Sequence, residues 1–493
     1  MSGVMKKNLI ILFLFFGYSC CNAQYDVDDV RIQGDSTLMG MKIESSFFSD
    51  GAFLIETTGA RFEYVKGELK LYQGLDNNNR RFLSTIIFEN EPNFIKVESL
   101  DDHIIFWSKD LNIGIYGDST VIISPKKSQD LKCKGNFKPD YEGRYKGELL
   151  LIDDKGGMEI YPQRYEAGYK IKTIELGKVE WVADYELNAK ERVMIAAFPG
   201  KKFNWEDSFN TRIVVTHGAM GLGEGNIYGE MPPNSTIENW AQNFDVLVLF
   251  YKGLYERPEK DIKNLRSHGP YIIENIPEFR RLITTAHNVD LKVVTYVGFF
   301  EYYRKFHNAE PFLEQIKKLK QQYGIDGVYI DGLSFDHNQN LDSNKILNWE
   351  IVRRIRSLFG SEGVIILHGT HGGLAVETAP NIDAYCSATL NGEGVPFQTV
   401  EDDYIKYNVR KYGISNTIGL WRPDGKHPQT ITYKEIIDTI LKMNCREATY
   451  AHVPLDKAPV GKYKWGNGIS SAYSYYLRRL KHLEDLYHSG KVR

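Results

Sequence analysis

The sequence predicts two folded units, an N-terminal antiparallel β-sandwich followed by a (β/α)8 barrel. Three observations lead there. The chain has 493 residues, and single hydrophobic cores stop growing beyond about 250–300 residues. Between residues 28 and 205, short alternating stretches such as "GAFLIETTG", "ARFEYVKGELKLYQG", "HIIFWSKDLNIGIYG", "TVIISP" and "KGELLLIDDKGGMEIYP" are broken by Gly, Asp and Asn, the period-2 pattern of antiparallel strands. From Thr211 onward, apolar β-branched runs alternate with helical stripes, which calls for a parallel sheet covered by helices.

In chain order, residues 1–23 form an export signal. Lys6 and Lys7 precede the apolar run "NLIILFLFFGY", which is short for a bilayer span and is followed by small residues. Cleavage after Ala23 in "CNAQ" yields a periplasmic product with no transmembrane helix, and cleavage before Cys20 in "GYSC" yields a cell-surface or outer-membrane lipoprotein. The sandwich spans 28–205 and the barrel 206–493.

Eight strands are expected in the second unit: "RIVVTHG" (212–218), "DVLVLFYKG" (245–253), "KVVTYVGFF" (292–300), "GVYIDG" (327–332), "GVIILHG" (363–369), "DAYCSAT" (383–389), "NTIGLW" (416–421) and "EATYAHV" (447–453). Between several of them run amphipathic stripes: Phe279, Leu282, Ile283 and Ala286; Phe312, Ile316, Leu319 and Tyr323; Val352, Ile355 and Phe359; Ile436, Ile440 and Met443. An open doubly wound sheet competes, but "HGAMGLGEG" lacks the Gly-x-Gly-x-x-Gly spacing its first turn would carry.

Charge narrows the function. With 61 Lys and Arg against 64 Asp and Glu, there is no basic bias for nucleic acid. Cys133, Cys386 and Cys445 lack metal-ligand spacing and read as buried thiols.

In a barrel, polar residues at the C-terminal strand ends face the reaction site. Here these are His217, Lys252, Glu301, Tyr302, Asp331, His368, His371, Glu393, Trp421, Arg422, Asp424 and His452, with Asp336 on the loop beyond Gly332. Asp331 alone fits a turn as well as a catalytic carboxylate. Pairing it with Glu393 favours chemistry, because glycosidic cleavage needs two carboxylates flanking the anomeric carbon. Strands four and six are separated by one strand, and Gly392 and Gly394 allow a tight loop that presents Glu393. Separations of roughly 5–5.5 Å imply retention and roughly 6.5–9.5 Å inversion. Arg422 offers a planar fork for a substrate oxygen, and Trp421 a stacking face or a core filler. His368 and His371 offer one donor and one acceptor each to sugar hydroxyls. His217, Lys252, Glu301, Tyr302, Asp336 and His452 complete the expected substrate-binding set.

The strand-four Asp in "GIDGVYIDG", the strand-six acid in "LNGEG" and the preceding sandwich resemble the α-galactosidase-type superfamily of glycoside hydrolases, which includes families 27, 31, 36 and 97. The resemblance implies Asp331 as nucleophile, Glu393 as acid/base in a retaining mechanism, and an α-linked oligosaccharide or polysaccharide substrate. Tyr329-Ile330-Asp331 stands where Lys-x-Asp or Trp-x-Asp is common, and Glu393 where Asp is usual. No organic cofactor is implied, while family 97 suggests a calcium ion.

Other chemistries fit less well. Amylase-like barrels place the acid on strand five, where "ILHGTHGG" has no carboxylate before Glu377. A metal-dependent amidohydrolase would draw His217 and His452 together. A carbohydrate-binding or scaffold protein would use the same aromatic and basic groups without the carboxylate pair, and Glu301 or Asp424 are the alternative acids.

Overall fold

Alternation of apolar and polar residues puts every second side chain on one face, and two antiparallel sheets result. A computed structural model describes residues 30–76, 79–139, 141–145, 148–153, 155–163, 181–202, 204–216, 231–249, 254–255, 271–298, 309–331, 345–368, 380–391, 416–418, 451–452, 455–457, 463–465 and 471–491. The first sheet orders its seven strands as Ile43–Ser49, Ala52–Thr57, Ala60–Val65, Glu68–Asp76, Asn79–Phe88, Gln129–Gly135 and Trp181–Leu187. The second has eight strands, from Tyr141–Tyr145 at one edge through Glu148–Asp153, Gly156–Pro162, Val193–Phe198, Thr120–Pro125, Leu111–Tyr116 and His103–Ser108 to Phe94–Ser99.

The sheets share a core that includes Phe53, Ile55, Phe62 and Leu71 from the first and Phe106, Ile113, Val121 and Ile195 from the second. The second sheet is covered on its other face too. Ile105, Tyr116, Ile122, Tyr161 and Met194 join the core of the C-terminal unit. That double burial explains why Thr120–Pro125 and Val193–Phe198 are buried at every position while Ala52–Thr57 alternates.

The C-terminal unit holds eight parallel strands: β1 Ile213–Val215, β2 Val246–Leu249, β3 Lys292–Gly298, β4 Gly327–Asp331, β5 Val364–His368, β6 Ala388–Asn391, β7 Asn416–Ile418 and β8 Ala451–His452. Their order in space is β8-β1-β2-β3-β4-β5-β6-β7, and a pairing of β7 with β8 is not seen among the described residues. Between them run helices α1 Asn234–Ala241, α2 Ile276–His287, α3 Glu310–Tyr323, α4 Lys345–Phe359 and α5 Pro380–Asp383, and α6 Ser471–His488 follows β8. The stripes expected on α2, α3 and α4 are the faces that bury, with Phe279, Leu282, Phe312, Ile316, Val352 and Ile355 fully enclosed; Ile436, Ile440 and Met443 lie outside the described residues.

Parity along the strands separates two layers. Val215, Val246, Val248, Val294, Tyr296, Tyr329, Val364, Ile366 and Ala388 form one cluster on the side away from the helices. Their neighbours Val214, Leu247, Val293, Val328, Ile330, Ile365 and Leu367 pack in the core that the helices share. Such two-sided burial is what near-continuous apolar runs require.

One strand boundary differs from expectation. The run 383–389 was expected to be strand six, yet 380–383 is helical and β6 starts at Ala388. Asp383 closes the short helix, and Tyr385 turns its phenol towards the sandwich, where it donates to Asp118 at 2.5 Å. A tertiary contact thus outweighs local strand propensity. Cys133 and Cys386 are buried free thiols, as their spacing suggested; Cys445 lies outside the described residues.

Candidate active site at the C-terminal ends of the parallel strands

Helix α3 ends at Gly324, whose φ of 72° forms the left-handed cap that glycine adopts without strain. Ile325 and Asp326 lead directly into β4. The Asp326 carboxylate accepts from the Val293 amide at 2.7 Å and from His287 Nε2 at 2.8 Å, tying the start of β4 to β3 and to the end of α2. Gly327 then allows close approach to β5, since a Cβ there would stand 1.8 Å from the Val364 carbonyl oxygen. These contacts fix the register in which Tyr329 pairs with Tyr296 and Asp331 with Gly298.

Asp331 therefore ends β4 on the face that carries Tyr329. It is half-buried, and the Tyr296 hydroxyl donates to its Oδ2. The Tyr296 ring stacks on Tyr329 at 5.2 Å and 17°. Two further phenols hold the end of β3. Tyr255 donates to the Tyr296 carbonyl at 2.8 Å, while Tyr271 donates to the Gly298 carbonyl at 2.9 Å and accepts from the Gly298 amide at 3.0 Å. The carboxylate is thus presented by a strand end whose backbone and aromatic neighbours are fixed. A charge-assisted hydrogen bond of this kind orients a carboxylate.

Of the residues expected at the site, Asp331 has its side chain described. His368 ends β5, and its backbone pairs with Leu390 of β6. His452 ends β8, paired with Val215. The side chains of His368 and His452 lie outside the described residues, as do His217, Lys252, Glu301, Tyr302, Asp336, His371, Glu393, Trp421, Arg422 and Asp424. The strand order does place β5 between β4 and β6, as the pairing of Asp331 with Glu393 requires.

Tyr296, Tyr329, Tyr255 and Tyr271 were missed in the sequence. A signal existed for the first two: in "VVTYVG" and "GVYIDG" each tyrosine stands two residues before a strand end and so shares the face of Gly298 or Asp331. Among the described residues no group of three or more His, Cys, Asp or Glu side chains is placed to hold a metal ion.

No protein-family model matches the chain, and the comparison with curated proteins found no match. Solved structures do match. A family 31 α-xylosidase from a soil metagenome, complexed with xylose, is 9% identical over 90% of this chain and 84% of that one, with a TM-score of 0.41. A family 36 α-galactosidase from Geobacillus stearothermophilus, complexed with 1-deoxygalactonojirimycin, is 10% identical over 90% and 86%, with a TM-score of 0.47. An α-galactosidase from Lactobacillus brevis is 7% identical over 88% and 83%, with a TM-score of 0.43. The chain is similar to these glycoside hydrolases, and matches at these identities and TM-scores assign no role to any residue.

Proposed function

We propose that the protein is an exported glycoside hydrolase that cleaves α-linked glycans at the mouth of a closed (β/α)8 barrel. The observation that carries this reading is Asp331, a half-buried carboxylate at the C-terminal end of β4 held by the Tyr296 hydroxyl. In this account Asp331 attacks the anomeric carbon, Glu393 protonates the leaving oxygen, and water then releases the sugar with Glu393 as base.

The strand order supports the pairing. Two strand spacings put β4 and β6 roughly 10 Å apart, and Asn391 ends β6 two residues before Glu393. Side chains reaching towards each other across that span close to the distances glycosidases use. Ring closure by β7 and β8, the site order of His217, Lys252, Glu301, Tyr302, His368, His371, Trp421, Arg422 and His452 around the mouth, and export through residues 1–23 belong to the same proposal.

The test is hydrolysis of a panel of aryl α- and β-glycosides by the purified protein beside Asp331→Asn and Glu393→Gln. Loss of activity in both folded variants supports the pair and identifies the sugar. No cleavage of any substrate, or full activity in either variant, overturns it; glycan binding by an inactive wild type would then mark a binding protein.

A further inference from the structure

A cleft of about 870 Å³ opens at the other end of the parallel sheet, between its strand starts and the rim of the first antiparallel sheet. Lys292, Val364 and Ser387 line it where β3, β5 and β6 begin, so it is separate from the end that carries Asp331. The volume suits a ligand of a few sugar units or smaller.

Its charge is opposite to that of the chain, whose formal net charge is -3. Arg80, Lys155, Lys201, Lys202 and Lys292 line the cleft, against the acids Glu44, Asp207 and Glu362. Two of these cations are occupied: Arg80 pairs with Glu56, and Lys292 Nζ donates to the Glu362 carbonyl at 2.9 Å.

Lys201 differs. It is half-buried where the chain leaves the sandwich, and no hydrogen-bond acceptor or ion-pair partner within contact distance stands beside its ammonium among the described residues. Burial and the nearby Arg356 guanidinium lower its pKa to about 8, against the weaker attraction of Asp207. The Asp207 carboxylate accepts from Asn204 Nδ2 at 2.6 Å.

Arg356 has no carboxylate within ion-pair distance among the described residues, although Asp207 and Glu362 attract it from farther off. It donates to the carbonyls of Tyr385, Gly360 and Gly363 at 2.9, 2.9 and 2.7 Å and to Ser387 Oγ at 3.1 Å, all neutral oxygens. It thereby caps the end of α4, where the helix dipole offsets part of the charge. The remainder adds to Lys201 in a partly desolvated wall, where fields act with little screening.

We propose that this cleft binds a sulfate or phosphate oxyanion, free or carried on a glycan, with Lys201 as its anchor. The oxyanion supplies the acceptor that Lys201 lacks, and Lys155 and Lys202 attract it at the rim. This site stands whether or not Asp331 is a nucleophile.

The experiment is calorimetric titration of the full chain with sodium sulfate, sodium phosphate, a sulfated disaccharide and its unsulfated counterpart, at pH 7 and constant ionic strength. Saturable binding of at least one anionic probe is expected, weakened tenfold or more in Lys201→Gln, retained in Lys201→Arg and fading above pH 8. Tighter binding of the sulfated disaccharide than of inorganic sulfate marks a glycan-borne group, and equal or weaker binding marks a free ion. Lys201→Gln removes an unpaired charge and is expected to fold; should it fail to, a Lys155→Gln/Lys202→Gln variant must weaken binding at least threefold. No saturable binding to the wild type, unchanged binding in folded Lys201→Gln, or unchanged binding in that second variant overturns the proposal.

Discussion

The Tyr296 hydroxyl donates to the Asp331 carboxylate from the neighbouring strand, and the Tyr296 ring stacks on Tyr329. The two strands are in register there, so the contact is set by backbone pairing as much as by side-chain choice. Tyr296→Phe keeps the ring and removes the donor. We expect a stability loss of about 1 kcal/mol and a fall in kcat/KM of roughly 10- to 100-fold from a less well oriented carboxylate. Urea denaturation and steady-state kinetics check the two numbers; unchanged kinetics would remove Tyr296 from the positioning of Asp331.

Arg353 of α4 crosses the boundary between the units. It donates to Asp102 at 2.5 Å and to the Tyr385 hydroxyl at 2.5 Å, and lies 3.5 Å from Asp118, which also accepts from Trp349 Nε1 at 2.8 Å. All of this is buried. Arg353→Met leaves two carboxylates without their cation, so a loss of about 3–5 kcal/mol is expected in chemical denaturation. A loss under about 1 kcal/mol would show that the network is not what joins sandwich to helix.

Acid weakens the same network. Burial opposes ionisation of Asp102, but the His103 hydrogen bond and Arg353 outweigh it and hold its pKa at about 2. A lowered carboxylate stabilises the fold above its unfolded value near pH 4, and the contribution is lost as pH falls towards 2. It amounts to about 2 kcal/mol. In Asp102→Asn the stability profile between pH 4 and pH 2 is expected to be flatter than in the wild type.

A second buried cluster responds in the opposite direction. Glu159 accepts from the Tyr161 hydroxyl at 2.9 Å and from the Asn381 amide at 3.2 Å, while Lys345 pairs with Glu148 at 2.9 Å and faces the Tyr161 ring. Burial still raises Glu159 to about 8, against Tyr161, Lys345 and Asn381, with Asp383 raising it further. Asp383 itself is raised to about 7 by burial, opposed by Thr389. The folded chain therefore keeps protons that the unfolded chain releases near pH 4. Their stabilisation is full below that pH and is lost as pH rises to about 8. Wild-type stability should fall between pH 5 and pH 8, by a few kcal/mol at most, and Glu159→Gln should flatten the slope. An identical slope in the variant would contradict the assignment.

Several features were legible because local pattern and tertiary role agree. "GVYIDG" is apolar, β-branched and cut off at Asp331, and the strand ends there. The stripes of α2 and α3 bury as their spacing requires. The covered second sheet also left a trace, since "VMIAAF" is a continuous apolar run where a one-faced sheet would alternate. Arg353 left none. It sits in "VRRIRS", which reads as a solvated helix face, and its partners Asp118 and Asp102 are 235 and 251 residues away. Tyr296 and Tyr329 look like core residues because a phenol within an apolar strand reads as apolar, and only their spacing from the strand ends signals the face they share with Gly298 and Asp331.

The most direct test of the central claim is covalent trapping. The wild type is incubated with a panel of 5-fluoro α-glycosyl fluorides, whose glycosyl-enzyme intermediates turn over slowly, then digested and analysed by mass spectrometry. The account predicts a glycosyl adduct on the peptide containing Asp331, absent from Asp331→Asn. An adduct on another carboxylate, or turnover of an α-glycoside with inverted product and no adduct, would contradict Asp331 as the nucleophile.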